Sequence, residues 1–113
     1  MVYFSDHGEE LGVGHTEDAF TYNMARIPFW IAVSESYAKE NKDKIEAIRE
    51  NINKPFTNDL LFDLVCGLTG MTNSPFYKPE FDISSHKFSI MADDVKIFNV
   101  HKITDDPEYI SHK

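Results

Sequence analysis

The residues best able to do chemistry lie at the start of the chain. Ser5-Asp6-His7-Gly8-Glu9 follows a short apolar run, Met1-Val2-Tyr3-Phe4, and leads into Gly12-Val13-Gly14-His15. A carboxylate beside an imidazole, with a second histidine close behind, supplies the oxygen and nitrogen donors that hold Zn²⁺. Neighbouring residues on a strand point to opposite faces, so Asp6 and His7 can share a metal only where the strand has already ended. Gly8 suits the sharp turn this requires. A catalytic zinc takes three protein ligands and keeps one position open, so the pair needs at least one more donor. His15 is the local candidate, for a second metal or a phosphate oxygen. Glu9, Glu10, Glu17 and Asp18 are alternative carboxylates, read more simply as an exposed acidic loop. His86, His101 and His112 have no partners at ligand spacing and read as surface histidines. No Ser-His-Asp arrangement, P-loop or dinucleotide fingerprint is present.

The bulk properties narrow the chemistry. The chain has 113 residues, 42% hydrophobic and 13% aromatic, with a formal charge of −8. That is enough for one small domain with a core. A polyanion is repelled by such a field, which disfavours a nucleic-acid partner. An acidic protein that handles a phosphate or sulfate ester needs a cation to offset its own charge, and a bound metal does this locally. The one cysteine, Cys66, excludes a disulfide within the chain and reads as a small buried hydrophobe. No apolar run approaches a membrane span, and no basic leader region begins the chain. The expectation is a chain that is soluble by itself.

The elements that must position these residues follow from periodicity and punctuation. Residues 1–4 read as a short buried strand and 5–16 as a loop. Residues 27–33, Ile-Pro-Phe-Trp-Ile-Ala-Val, read as a second strand whose continuous apolarity predicts cover on both faces of a parallel sheet. Ser34 or Ser36 can cap a short helical turn. Residues 42–52 form a helix with Ile45, Ile48 and Ile52 on one face and charges on the other, stopped by Asn53-Lys54-Pro55. Thr57 is a good N-cap for a second helix. Its stripe is Leu60, Leu61, Leu64, Val65 and Leu68, and Gly67 and Gly70 mark its end. Residues 71–85 read as an extended loop, 95–100 as a third strand and 104–113 as a polar tail.

Val2-Tyr3-Phe4-Ser5-Asp6-His7-Gly8-Glu9, then Gly14-His15, then Arg26-Ile27-Pro28-Phe29-Trp30, resembles the closing part of the alkaline phosphatase/sulfatase superfamily. It is closest to the phosphoethanolamine transferase branch. Asn53-Lys54-Pro55-Phe56-Thr57-Asn58-Asp59-Leu60 and Leu64-Val65-Cys66-Gly67-Leu68-Thr69-Gly70-Met71 extend the likeness to about residue 71. The resemblance implies an α/β fold: the C-terminal portion of an alkaline-phosphatase-like sandwich, with a few mostly parallel strands and two or three packed helices. Residues 1–113 would then be a single partial domain. It implies Asp6 and His7 as metal ligands and His15 as a contact to substrate phosphate or a second metal, with one or two zinc ions in the intact enzyme.

The family's threonine nucleophile belongs to an earlier half of the domain that these residues do not match. The chain alone is therefore expected to be inactive and to bind zinc weakly or not at all. In the intact enzyme a phospholipid would donate phosphoethanolamine to lipopolysaccharide or a related glycan, at the periplasmic face of the bacterial inner membrane. A sulfatase is the alternative within the superfamily. A stand-alone binding module, self-associating through an exposed sheet edge, is the alternative outside it.

Overall fold

A computed structural model describes residues 1–12, 21–97 and 101–111. They are mixed α and β and divide into two compact units, one of Met1–Ala32 with Ala92–Lys113, the other of Val33–Met91. Among the described residues no helix is long and apolar enough to cross a membrane.

The first unit is organised by a short ladder. Strand β1 (Val2–Phe4) pairs with β2 (Phe29–Ile31) in the register Val2↔Ile31, Tyr3↔Trp30, Phe4↔Phe29. One further pair extends it: the Met1 ammonium donates to the Ala32 carbonyl at 2.7 Å and the Ala32 amide to Met1 O at 2.9 Å. The pairing is antiparallel, where the sequence reading expects mostly parallel strands. Parallel neighbours need a long crossover, usually a helix. Between β1 and β2 the described residues hold only α1 (Tyr22–Ala25), four residues long.

The apolarity of residues 27–33 also serves a different end from the two-sided cover it predicts. Tyr3 and Trp30 stack across the ladder with ring centroids 4.5 Å apart, and they remain 46% and 52% exposed. Cross-strand aromatic pairing, rather than burial of both faces, explains the run.

A second antiparallel pair joins β3 (Lys96–Ile97) to β4 (His101–Lys102). Residues 98–100 of the predicted third strand lie outside the described residues. The predicted polar tail is structured: a 3₁₀ turn at Ile103–Asp105 is followed by α5 (Pro107–Ser111). Asp106 Oδ1 accepts from the amides of Glu108 at 2.8 Å and Tyr109 at 3.4 Å, so an aspartate cap with proline in the first position starts this helix.

The second unit is helical. Ser34 caps α2 (Glu35–Glu40), its Oγ accepting from the Tyr37 amide at 3.2 Å. Next come α3 (Lys42–Asn51) and, after a 3₁₀ turn at Asn58–Leu60, α4 (Leu61–Thr69). The Thr57 side chain makes no capping bond; its carbonyl receives the Leu60 amide at 3.0 Å. Tyr37 donates its hydroxyl to the Leu68 carbonyl at 2.5 Å, tying α2 to α4. Gly70 ends α4 in the left-handed region at φ 77°, and the Met71 amide closes the turn on Cys66 O at 2.9 Å.

The faces these helices bury coincide only in part with those the apolar periodicity predicts: Leu60 and Leu64 of the predicted stripe are buried, beside small and polar residues outside it. On α3 the buried residues are Ala47 and Asn51, while Ile52 lies exposed beyond the helix end. On α4 they are Asp63, Leu64, Cys66 and Gly67, and Val65 points outward. The cause is the segment expected to be an extended loop. It carries Asp82, Ile83 and Ser84 into the core, and Phe88 follows just beyond it. Asn51 donates to the carbonyls of Ile83 and Ser85, both at 3.1 Å, and Asp63 Oδ1 accepts from the Lys78 amide at 2.7 Å. Polar side chains face this segment because its backbone needs partners once buried.

Candidate metal site

Strand β1 stops at Phe4, so Asp6 and His7 sit on irregular backbone and are not forced to opposite faces. The local chain is held by its own hydrogen bonds. Ser5 Oγ donates to the His7 carbonyl at 2.8 Å, and the His7 amide donates to Asp6 Oδ1 at 3.1 Å. His7 Nδ1 lies 2.6 Å from the Gly8 carbonyl. A carbonyl only accepts, so Nδ1 carries the proton and Nε2 is the acceptor of the neutral ring. Nε2 in turn is 3.9 Å from Asp6 Oδ2, and the His7 and Asp6 side chains are 51% and 86% exposed, open to an ion from solvent.

Metal-binding histidines commonly donate their other ring N–H to a backbone carbonyl, which fixes the tautomer. His7 has that arrangement. Ligand atoms about 2.0–2.2 Å from a tetrahedral zinc lie roughly 3.3–3.5 Å apart, so the pair at 3.9 Å is slightly wide. Exposed side chains close such a gap by small rotations. The Gly8 hydrogen bond and, secondly, the Asp6 charge raise the His7 pKa above its ordinary value. A metal at Nε2 therefore competes with a proton that the same surroundings favour.

Gly8 has a different role from the turn predicted for it. Its φ is not in the left-handed region. Instead its amide donates to Met24 O at 2.6 Å, and a Cβ here would overlap the carbonyl oxygens of Asn23 and Arg26. Glycine is needed because the loop presses against α1. Glu10, expected in an exposed acidic loop, is a second anchor: its Oε2 accepts from Thr21 Oγ1 and Asn23 Nδ2, both at 2.9 Å. No periodicity or spacing signals that role in the sequence, because the partners are polar and lie on the far side of the loop.

The remaining candidates are dispersed. His15, Glu17 and Asp18 lie outside the described residues, as does His112. His86 is exposed, as expected of a surface histidine, and its Nδ1 is 2.9 Å from Glu50 Oε2. His101 is exposed on β4, and Cys66 is a buried free thiol. Among the described residues no three His, Cys, Asp or Glu side chains converge as a metal-binding group. Asp6 and His7 thus fit two ligand positions of a zinc site without completing it. No family model, curated protein or solved structure matches the chain.

Proposed function

We propose that Asp6 and His7 form part of the zinc site of a metal-dependent enzyme acting on phosphate esters, of the alkaline phosphatase/sulfatase type and closest to the phosphoethanolamine transferases. The observation that carries this reading is the state of His7. Its Nδ1 proton is committed to the Gly8 carbonyl, and Nε2 is directed to the same side as an Asp6 carboxylate oxygen. A bound zinc would supply charge neutralisation at phosphoryl oxygens and activation of a nucleophile. This chain's own residues would hold an oxygen and a nitrogen donor at fixed tautomer, with Ser5 and Gly8 setting the backbone between them. His15 remains the proposed contact to phosphate or to a second zinc. The remaining ligands and the nucleophile would come from outside the described residues, with a phospholipid as donor and a glycan as acceptor at the periplasmic membrane face. A sulfatase would use the same pair.

Zinc content after exhaustive dialysis tests the site. The wild-type chain should retain more zinc than Asp6→Ala and His7→Ala; equal content in all three would sink the reading.

A second reading has its own observation. Among the described residues the β1–β2 ladder is two strands wide and presents the half-exposed Tyr3–Trp30 stack. Such an edge favours a non-catalytic module that self-associates. Light scattering decides it, because a monomer across a wide concentration range would exclude it.

A further inference from the structure

Residues 5–10 are fastened to α1 at two points. Gly8 is nested among the carbonyls of residues 23, 24 and 26, and Glu10 is held by Thr21 and Asn23. The α1 helix has four residues, far too few to stand alone in water. It is held in turn by α5. Tyr22 meets Tyr109 edge to face with centroids 5.5 Å apart, and Asn23 Nδ2 also reaches Glu108 Oε1 at 3.5 Å. The Asn23 amide thus stands between two carboxylates, Glu10 and Glu108, and donates to both. Without it, two like charges would face each other across a half-buried gap.

We propose that Asn23 is the positioning residue of the Asp6–His7 loop, and that through it the C-terminal helix α5 governs the geometry of that loop. The link to metal binding rests on the zinc reading above; the link from Asn23 to the loop does not. Asn23 touches neither candidate ligand. It acts through Glu10 at the loop's end and through the backbone of residues 23–26, onto which Gly8 is pressed. The chemical requirement is a side chain that donates two N–H groups. Aspartate has the same shape and donates none, so it would turn the bridge into a third carboxylate in the same place.

The test uses the full chain and its Asn23→Asp variant, with Thr21→Val as a milder probe that removes only one donor to Glu10. The metal-free readout is hydrogen exchange at the Gly8 amide together with the His7 ring signals in NMR. The loaded readout is affinity for Zn²⁺ alone, by competition with a chelating dye. Asn23→Asp should speed Gly8 exchange, and Zn²⁺ affinity should fall about tenfold, the lower end of what lost outer supports of a metal site cost. Thr21→Val should move both in the same direction by less. Adding Glu10→Gln to Asn23→Asp returns an amide facing a carboxylate at the Glu10 contact, and it should recover the Gly8 and His7 signals in part, because the new carboxylate still faces Glu108. A merely structural loss would not be rescued in this way. Unchanged exchange and affinity in Asn23→Asp, or no recovery in the double variant, overturns the proposal. If wild type binds no Zn²⁺ while exchange still responds and is rescued, the positioning role stands and the zinc reading falls.

Discussion

Gly67, in the middle of α4, lies directly against the carboxylate of Asp82: a Cβ at residue 67 would overlap Asp82 Oδ2 and crowd Ser84 Oγ. Alanine in a helix interior ordinarily gains about 1 kcal/mol over glycine. Here the clash wins, because Asp82 cannot step aside. It is 1% exposed and accepts from Tyr77 Oη at 2.7 Å, the Ser84 amide at 2.8 Å and Ser84 Oγ at 2.6 Å. Gly67→Ala should therefore destabilise the second unit by about 1–3 kcal/mol, as overpacking does. Urea denaturation followed by circular dichroism checks this; a raised midpoint would mean that the carboxylate moves freely.

Removing the acceptor should cost more than crowding it. Asp82→Ala orphans three donors in the second unit, two of them on Ser84, which is itself buried. The expected loss is about 3 kcal/mol or more. Asp82→Asn keeps an acceptor oxygen for Ser84 and should be milder. The ordering of the three denaturation midpoints, wild type above Asn above Ala, is the measurement.

The same contact predicts alkaline sensitivity. Burial first, and then the hydrogen bond to Asp82, raise the Tyr77 pKa well above its ordinary value of 10.0. The folded chain then keeps a proton that the unfolded chain releases. This contribution to stability is fully present below about pH 10 and is lost as pH rises through the folded-state pKa. Denaturation midpoints should fall above pH 10, and Tyr77→Phe should flatten that decline. An identical decline in Tyr77→Phe would assign it to other groups.

His86 and Glu50 give the opposite end of the pH scale. The hydrogen bond to Glu50 raises the His86 pKa above 6.5 against an opposing desolvation, aided by the charges of Glu50, Glu46 and Asp43. Both side chains are half exposed, so the pair is worth little in stability. What it does contribute is complete below the unfolded value of about 6.5 and fades as pH passes the folded value. An NMR titration of the His86 ring should show a midpoint above that of a free histidine, and Glu50→Gln should lower it. No change on substitution would assign the shift elsewhere.

Trp30 is the one tryptophan of the chain, and it stacks on Tyr3. Its fluorescence reports on the β1–β2 ladder. Tyr3→Ala should shift its emission and weaken the β1–β2 ladder by about 0.5–1.5 kcal/mol, the usual worth of an aromatic pair. An unaltered spectrum would contradict the stack.

Several elements were legible from sequence for good reasons. Ser34 announced α2, the charged face announced α3, and Gly70 announced the end of α4. The helix faces were legible only in part, as at Leu60 and Leu64, because apolar periodicity finds only apolar cores. Asn51, Asp63, Asp82 and Ser84 are buried polar groups that satisfy each other or a neighbouring backbone, and no hydrophobic pattern marks them. The Asp106-Pro107 start of α5 is a readable signal, an aspartate cap followed by proline, that the reading of 104–113 as a polar tail does not use. At the candidate site the end of β1 before Asp6 was legible. The supports of the loop were not, since Gly8, Glu10, Thr21 and Asn23 are brought together only by tertiary folding.

The first unit takes its strands and helices from both ends of the chain, Met1–Ala32 and Ala92–Lys113, with Val33–Met91 forming the second unit between them. This order has a consequence for synthesis on the ribosome. The second unit is contiguous and can be complete while α5 is still being translated. The first unit must wait, and bringing its two halves together across a disordered intervening segment would cost on the order of 3–4 kcal/mol in chain entropy. Until Glu108 and Tyr109 emerge, α1 and the Asp6–His7 loop lack a support, so this loop matures after the second unit can.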